Sequence, residues 1–270
     1  MQPTPTSQDS NNHIKSHLPL PSGVTLYYEI RGTGPPLLLI PGAHATGLIY
    51  ESLAEALSPR FRVTLYDLRG FVRSDPNPNS NPSQNPRSNP QTIETHTGDA
   101  LALIRHLSPT TPITVFSSSS TAPIALSLLH KCPQHIHKVI LHEPLLFSLL
   151  PPAIFTAINR LFTSCIRNPK HPSIHAINRT ILPLVQRPHG WARFTRTREH
   201  ARFRELRLPS DFNLRWDVNE FLEVVEWGVD VEGLMKVGEA GDTRMDLPDG
   251  ARVIGAAVES SAVESESGAG

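Results

Sequence analysis

Four consecutive serines, Ser117 to Ser120, follow the β-branched run Ile113–Phe116 and lead without a break into a helix-forming segment. A serine hydroxyl attacks a carbonyl carbon once a neighbouring base takes its proton, so a serine at a sharp strand-to-helix turn has the means for acyl transfer. Such a turn needs small residues two places before and two places after the nucleophile, where strand and helix pack closely behind a strained backbone. Counting from Phe116, the small positions are Ser117 and Thr121 and the tip is Ser119. Thr121 is β-branched and is expected to crowd the junction. A register one residue later makes Ser120 the nucleophile, flanked by Ser118 and Ala122. A polar turn with no chemistry is the third reading.

The surrounding pattern shows what must hold that turn in place. Val24–Ile30 is β-branched and aromatic, and Leu37–Ile40 is a short apolar run of the kind buried on both faces of a parallel sheet. Residues 49–57 place Ile49, Leu53, Ala56 and Leu57 at helical spacing, and Arg62–Tyr66 is the next strand. Thr92–Leu107 is helical, with Ile93, Ala100, Leu103, Ile104 and Leu107 on one face. Pro112–Phe116, Thr121–His130 and Lys138–His142 then read strand, helix, strand. This alternation is the signature of βαβ units, so the predicted class is α/β with a mostly parallel, twisted sheet flanked by helices.

The domain reading follows from where the rhythm holds. Residues 1–20 read as a disordered leader and 21–144 as the first part of the core. Within the core, the Asn/Pro/Ser tract 75–90 lacks any helical or strand period and reads as a mobile loop. Residues 145–226 hold amphipathic pieces rich in Arg and aromatics without a clear strand, as expected of an inserted helical lid. Strand Arg252–Val258 lies in a second piece of core at 227–261, and 262–270 is a polar tail.

Bulk properties narrow the function. Lys plus Arg and Asp plus Glu both total 25, giving no general attraction to nucleic acid or an anionic membrane. Apolar runs such as Pro35–Ile40 are far shorter than the ~20 residues of a spanning helix. The amino-terminal stretch has no apolar core behind a basic start. Cys132 and Cys165 form no metal or redox pattern and read as buried thiols in a reducing compartment. The expectation is a cytoplasmic protein. His135 and His137 flank a strand rather than complete a metal site. The arginines between Arg193 and Arg207 read as the solvated face of a helix whose apolar side includes Phe194, Phe203 and Leu206. No glycine-rich phosphate loop stands at a strand–helix junction, and no cofactor or metal is implied.

Three passages, in this order and spacing, resemble the α/β-hydrolase superfamily: LLLIPGAHATG, VTLYDLRGFVRSD, and VFSSSSTAPIALSLLHKCPQHIHKVILHEP. The likeness runs from about residue 23 to 150 and resumes weakly at 226–261. It implies hydrolysis of an ester, thioester, lactone or similar small acyl compound through a Ser119 acyl-enzyme. It also assigns the oxyanion donors to the backbone N–H groups of Ala43 and Ser120, with His44 a possible substrate contact, and puts the triad acid at Glu259. Glu143 is a substitute acid. The family's chain order is serine, acid, histidine, yet all 13 histidines lie at or before His200. Sequence reading therefore expects a core whose final strand, His loop and helix are missing, and doubtful activity. It leaves open a base from His171, His175 or His189, a non-catalytic binding protein, or an inert shortened product. An exposed edge at Arg252–Val258 is expected to favour self-association.

Overall fold

The computed structural model describes residues 7–9, 13–42, 45–74 and 91–166, together with residues 196 and 201. Seven strands are described: β1 (Ser7–Asp9), β2 (His13–Pro19), β3 (Thr25–Arg31), β4 (Pro36–Ile40), β5 (Arg62–Tyr66), β6 (Ile113–Ser118) and β7 (Ile136–His142). They form one sheet in the order β1-β2-β3-β5-β4-β6-β7. The block β5-β4-β6-β7 is parallel, and β1, β2 and β3 add to it as antiparallel strands. Leu38 at the centre lies opposite Thr64 on β5 and Val115 on β6.

Alternation along the strands builds two apolar layers. Leu38, Ile40 and Val115 face a cluster completed by Leu103, Ile104, Ile124 and Leu128. These last four belong to helices α2 (Ile93–Leu107) and α3 (Ala122–Lys131). Leu37, Leu39, Val63 and Leu65 face the other way, onto Tyr50 and Ala54. Tyr50 ends a 3-10 turn, Gly47–Tyr50, that runs into α1 (Glu51–Leu57). Because β4 is covered on both faces, its sequence is a continuous apolar run rather than an alternating one. Helix α2 begins where its chemistry dictates. The Thr92 hydroxyl accepts from Thr95 N–H, and Arg105 and His106 occupy the last turn, where positive charge suits the helix dipole.

One expectation needs correction. The sequence of residues 1–20 suggests a disordered leader, but His13–Pro19 is β2, paired along its whole length with β3. Its polar, half-exposed pattern hides a strand whose anchors come from its partner. His13 Nε2 bonds Glu29 at 2.8 Å, and the His17 ring meets Tyr27 edge-on at 5.1 Å. Of the expected lid, helix α4 (Pro152–Ile166) is described, preceded by a 3-10 turn at Phe147–Leu149. The tract 75–90, most of the lid beyond Ile166, the second core piece 227–261 and the tail 262–270 lie outside the described residues.

Candidate active site

The site is built where β6 gives way to α3. Ser118 keeps extended backbone, and Ser119 then turns to φ +61°, the left-handed region that a non-glycine residue enters only at a cost. A 3-10 turn, Ser119–Thr121, carries the chain into α3, whose Pro123 in the first turn is suited to a helix start. Ser119 is thus the tip of the turn and is half-buried, whereas Ser117, Ser120 and Thr121 are fully buried. Among the described residues the Ser120 hydroxyl has no hydrogen-bond partner. Its burial sets it apart from Ser119.

Thr121 does not crowd the junction as its shape suggested. Its backbone lies at φ −96°, ψ 1°, which any L-residue adopts. Its hydroxyl donates to the Ser118 carbonyl at 3.0 Å and accepts from the Ser117 hydroxyl at 2.9 Å. The threonine closes the base of the turn with polar contacts that glycine lacks.

The turn after β4 faces this tip. A Cβ built on Gly42 would stand 3.0 Å from the Ser118 carbonyl oxygen and 3.7 Å from Ser119 Cβ, so glycine lets the two loops touch. Ala45 N–H donates to the Gly42 carbonyl at 2.8 Å, and the Ala45 carbonyl accepts from Leu68 N–H at 2.9 Å. Ala43 and His44, between them, lie outside the described residues. Tyr50, packed edge-on against Phe116 at 5.5 Å, lies near Ser118 and the Gly42 backbone without bonding to either. Burial pushes its hydroxyl up to about 12, so it stays protonated.

Below the turn after β4 lies a buried charge cluster from the DLRGFVRS passage. Asp67, fully buried, accepts at Oδ1 from the Thr46 hydroxyl at 2.6 Å, Gly47 N–H at 2.9 Å and Arg73 Nη2 at 2.9 Å. Its Oδ2 accepts from Arg73 N–H at 3.0 Å and Nε at 2.8 Å. The Arg73 guanidinium also pairs with Glu29 and lies 4.0 Å over the Tyr27 ring. Burial alone would raise the Glu29 carboxyl. The Arg73 charge and hydrogen bonds from His13, Arg31 and Tyr27 outweigh it and hold the group at about 2. Ser74 finishes the passage by donating to the Asp67 carbonyl at 2.7 Å and accepting from Tyr27 N–H at 2.8 Å. The sequence quoted these residues only as a family motif; their positions around the turn after β4 come from the structure.

The candidate acids separate. Glu259 lies outside the described residues, as do His171, His175 and His189. Glu143 follows β7, the strand next to β6, and is exposed at φ +46°. Two residues on, Leu145 N–H donates to the Ser119 carbonyl at 3.1 Å, so the Glu143 corner is tied to the elbow itself. Sequence reading did not pick out His142. Its Nδ1 stands 3.4 Å from Ser118 Oγ, and its ring is roughly parallel to Phe116 at 6.3 Å. Among the described residues no group of His, Cys, Asp and Glu could hold a metal ion, and no helix is long and apolar enough to cross a membrane.

Known proteins share this architecture. The chain is 35% identical over 128 residues to an uncharacterized hydrolase, YraK, of Bacillus subtilis, covering 47% of this chain and 44% of that one. It is 31% identical over 130 residues to a zearalenone hydrolase of Bionectria ochroleuca, covering 48% and 47% respectively. The chain therefore spans about half the length of the curated relatives it matches. A thermophilic esterase structure from Thermogutta terrifontis superposes with TM-score 0.55 at 21% identity, covering 81% of this chain and 74% of that one. The model of the alpha/beta hydrolase fold matches residues 35–212, and with the sheet order and the turn at Ser119 already in view, the chain belongs to that family.

Proposed function

We propose that the chain is built for serine-dependent acyl transfer on a small ester, thioester, lactone or related compound. Ser119 is the nucleophile, and the Ser120 and Ala43 N–H groups are the donors to the developing oxyanion. The observation that carries this reading is the left-handed backbone of Ser119 at a strand–helix tip, which lies so near Gly42 that a Cβ there would stand 3.7 Å from Ser119 Cβ. Strain of that kind persists where the fold over-determines it and projects one side chain clear of strand and helix.

For the acid there are two readings. Family order puts it at Glu259. The tie between Leu145 and the Ser119 carbonyl, with the strained backbone of Glu143 two residues before it, favours Glu143. A cytoplasmic location and self-association through a sheet edge at Arg252–Val258 belong to the same proposal; cell fractionation and sedimentation test them.

A fluorophosphonate probe with peptide mapping tests the nucleophile. The adduct is expected on Ser119, formed slowly by the chain alone and faster with added imidazole, and is lost in Ser119→Ala but kept in Ser120→Ala. An adduct confined to Ser118 or Ser120 would overturn the assignment. Comparing Glu143→Gln with Glu259→Gln in the same assay separates the acids. A hydrolase-like protein that binds without turnover would instead hold an acyl ligand and carry no adduct.

A further inference from the structure

The turn after β4 meets the elbow at Gly42, and at its trailing end, Thr46 and Gly47, it is held by one buried carboxylate. We propose that Asp67 is the positioning residue of this turn: it fixes how far the turn stands from Ser119 and thereby where an acyl oxygen is received. The inference rests on reading Ser119 and the turn as an acyl-transfer site.

Five donors converge on Asp67, two from the turn's trailing end at Thr46 and Gly47 and three from Arg73. Asp67 accepts at both oxygens, whereas asparagine would aim its own NH₂ at one set of donors. Arg73 supplies the countercharge and is itself held by Glu29 and Tyr27, so the acceptor cannot swing away from the turn. Steric limits act in the same direction. A Cβ on Gly47 would stand 2.9 Å from Leu65 Cβ and 3.0 Å from Tyr66 N, so the chain passes directly over β5 at the point where Asp67 grips it. Ala45 keeps φ +55° in a fully buried site, bonded on one side to Gly42 and on the other to Leu68, the residue after Asp67. The segment Ala45–Gly47 is therefore held through Asp67 and Leu68, and through Ala45 it is tied to Gly42. An oxyanion donor is useful only when its distance is set before the charge develops.

The test uses the whole 270-residue chain. Thr46→Val removes the hydroxyl that donates to Asp67 at nearly constant shape, and Thr46→Ser restores it. Amide hydrogen exchange is read at single residues, beside the saturation kinetics of fluorophosphonate labelling at Ser119. In Thr46→Val, exchange at Ala45 and Gly47 is expected to rise about fivefold to tenfold, the size of one buried hydrogen bond. Val115 and Phe116 in β6 should stay at wild-type values. The maximal labelling rate should fall by a similar factor with little change in half-saturation, and Thr46→Ser should restore both readouts. Unchanged exchange in the turn, or a uniform rise across the sheet, overturns the proposal. An unchanged labelling rate beside loosened amides also overturns it, because the clamp would then not reach the site. If the wild-type chain takes no adduct at Ser119 even with imidazole supplied as the base, the nucleophile reading fails, and the exchange pattern alone decides whether Asp67 holds the turn.

Discussion

Lowering the pH from 6.5 to 5 should unload stability from one buried imidazole. His96, in the first turn of α2, is 1% exposed, and burial, with the nearby Arg69 charge, lowers its pKa to about 3. The unfolded chain protonates the same ring at its ordinary 6.5. A folded pKa below the unfolded one means that the contribution is whole above 6.5 and is lost progressively as pH falls toward 3. Each unit in that window is worth about 1.4 kcal/mol, so the step to pH 5 costs about 2 kcal/mol. That is a large part of a typical total of about 5–15 kcal/mol. Glu29 stays out of this window, because its own loss begins only below the ordinary carboxylate value of 4.5. Urea unfolding at pH 7, 6 and 5 provides the measurement, with His96→Leu as a non-titrating reference of similar bulk. Groups common to both chains cancel in the comparison. The wild type should lose stability between pH 6 and 5 more steeply than the variant by about 1 kcal/mol or more. Equal slopes in the two chains would refute the reasoning, since they would mean that His96 takes up its proton in the fold as readily as in the unfolded chain.

Three substitutions test the local geometry. Val72 is β-branched at φ +44° but packs in part against the core, so in Val72→Gly relief of strain should roughly offset lost packing and added chain freedom, leaving Tm within a few degrees of wild type; a large fall would mean that packing outweighs strain. Thr121→Gly should lower stability by about 2 kcal/mol, because it deletes the two hydroxyl contacts that close the elbow and adds backbone freedom; a stabilised variant would mean that crowding outweighs those bonds. Ser120→Ala should be neutral or stabilising by about 1 kcal/mol in chemical unfolding, because it removes a buried hydroxyl with no partner among the described residues.

How much of this was legible beforehand depended on the kind of signal. Strands β4 and β5 and helices α2 and α3 were readable to within a residue or two. Their burial is written as unbroken apolar runs or helical spacing, and Thr92 marks a helix start by its own chemistry. Strand β2 was not, because His13, Lys15 and His17 look like solvated leader until Glu29 and Tyr27 on β3 are placed beside them. The tip at Ser119 was legible as one of two registers. Its φ of +61° and the burial of Ser120 separate them, and neither property is written in a run of four identical residues. The Asp67 clamp was hidden for a different reason. It joins residues about 20 apart through a carboxylate whose partners become neighbours only when β4 and β5 pair.

The proton of Ser119 decides how fast these residues can work. A serine hydroxyl has little nucleophilicity at neutral pH until a base accepts that proton. In the family's order the base follows the acid, and every histidine of this sequence lies at or before His200. Among the described residues His142 is the imidazole at the elbow, but its 3.4 Å contact is to Ser118 Oγ rather than to Ser119. Losing the base from a triad enzyme costs on the order of 10⁶ in turnover. What remains, about 10³–10⁴ over water, comes from the oxyanion donors and binding. Residues 1–270, purified as they stand, should therefore hydrolyse activated aryl esters slowly, and Ser119→Ala should change the rate little. Imidazole added to the buffer offers a check with a sharper readout. If Ser119 is otherwise in place, imidazole should accelerate the wild type beyond its effect on Ser119→Ala. Fast turnover without imidazole, abolished by Ser119→Ala, would overturn this reasoning. It would show that the chain supplies its own base, with His142, His171, His175 and His189 the first to replace.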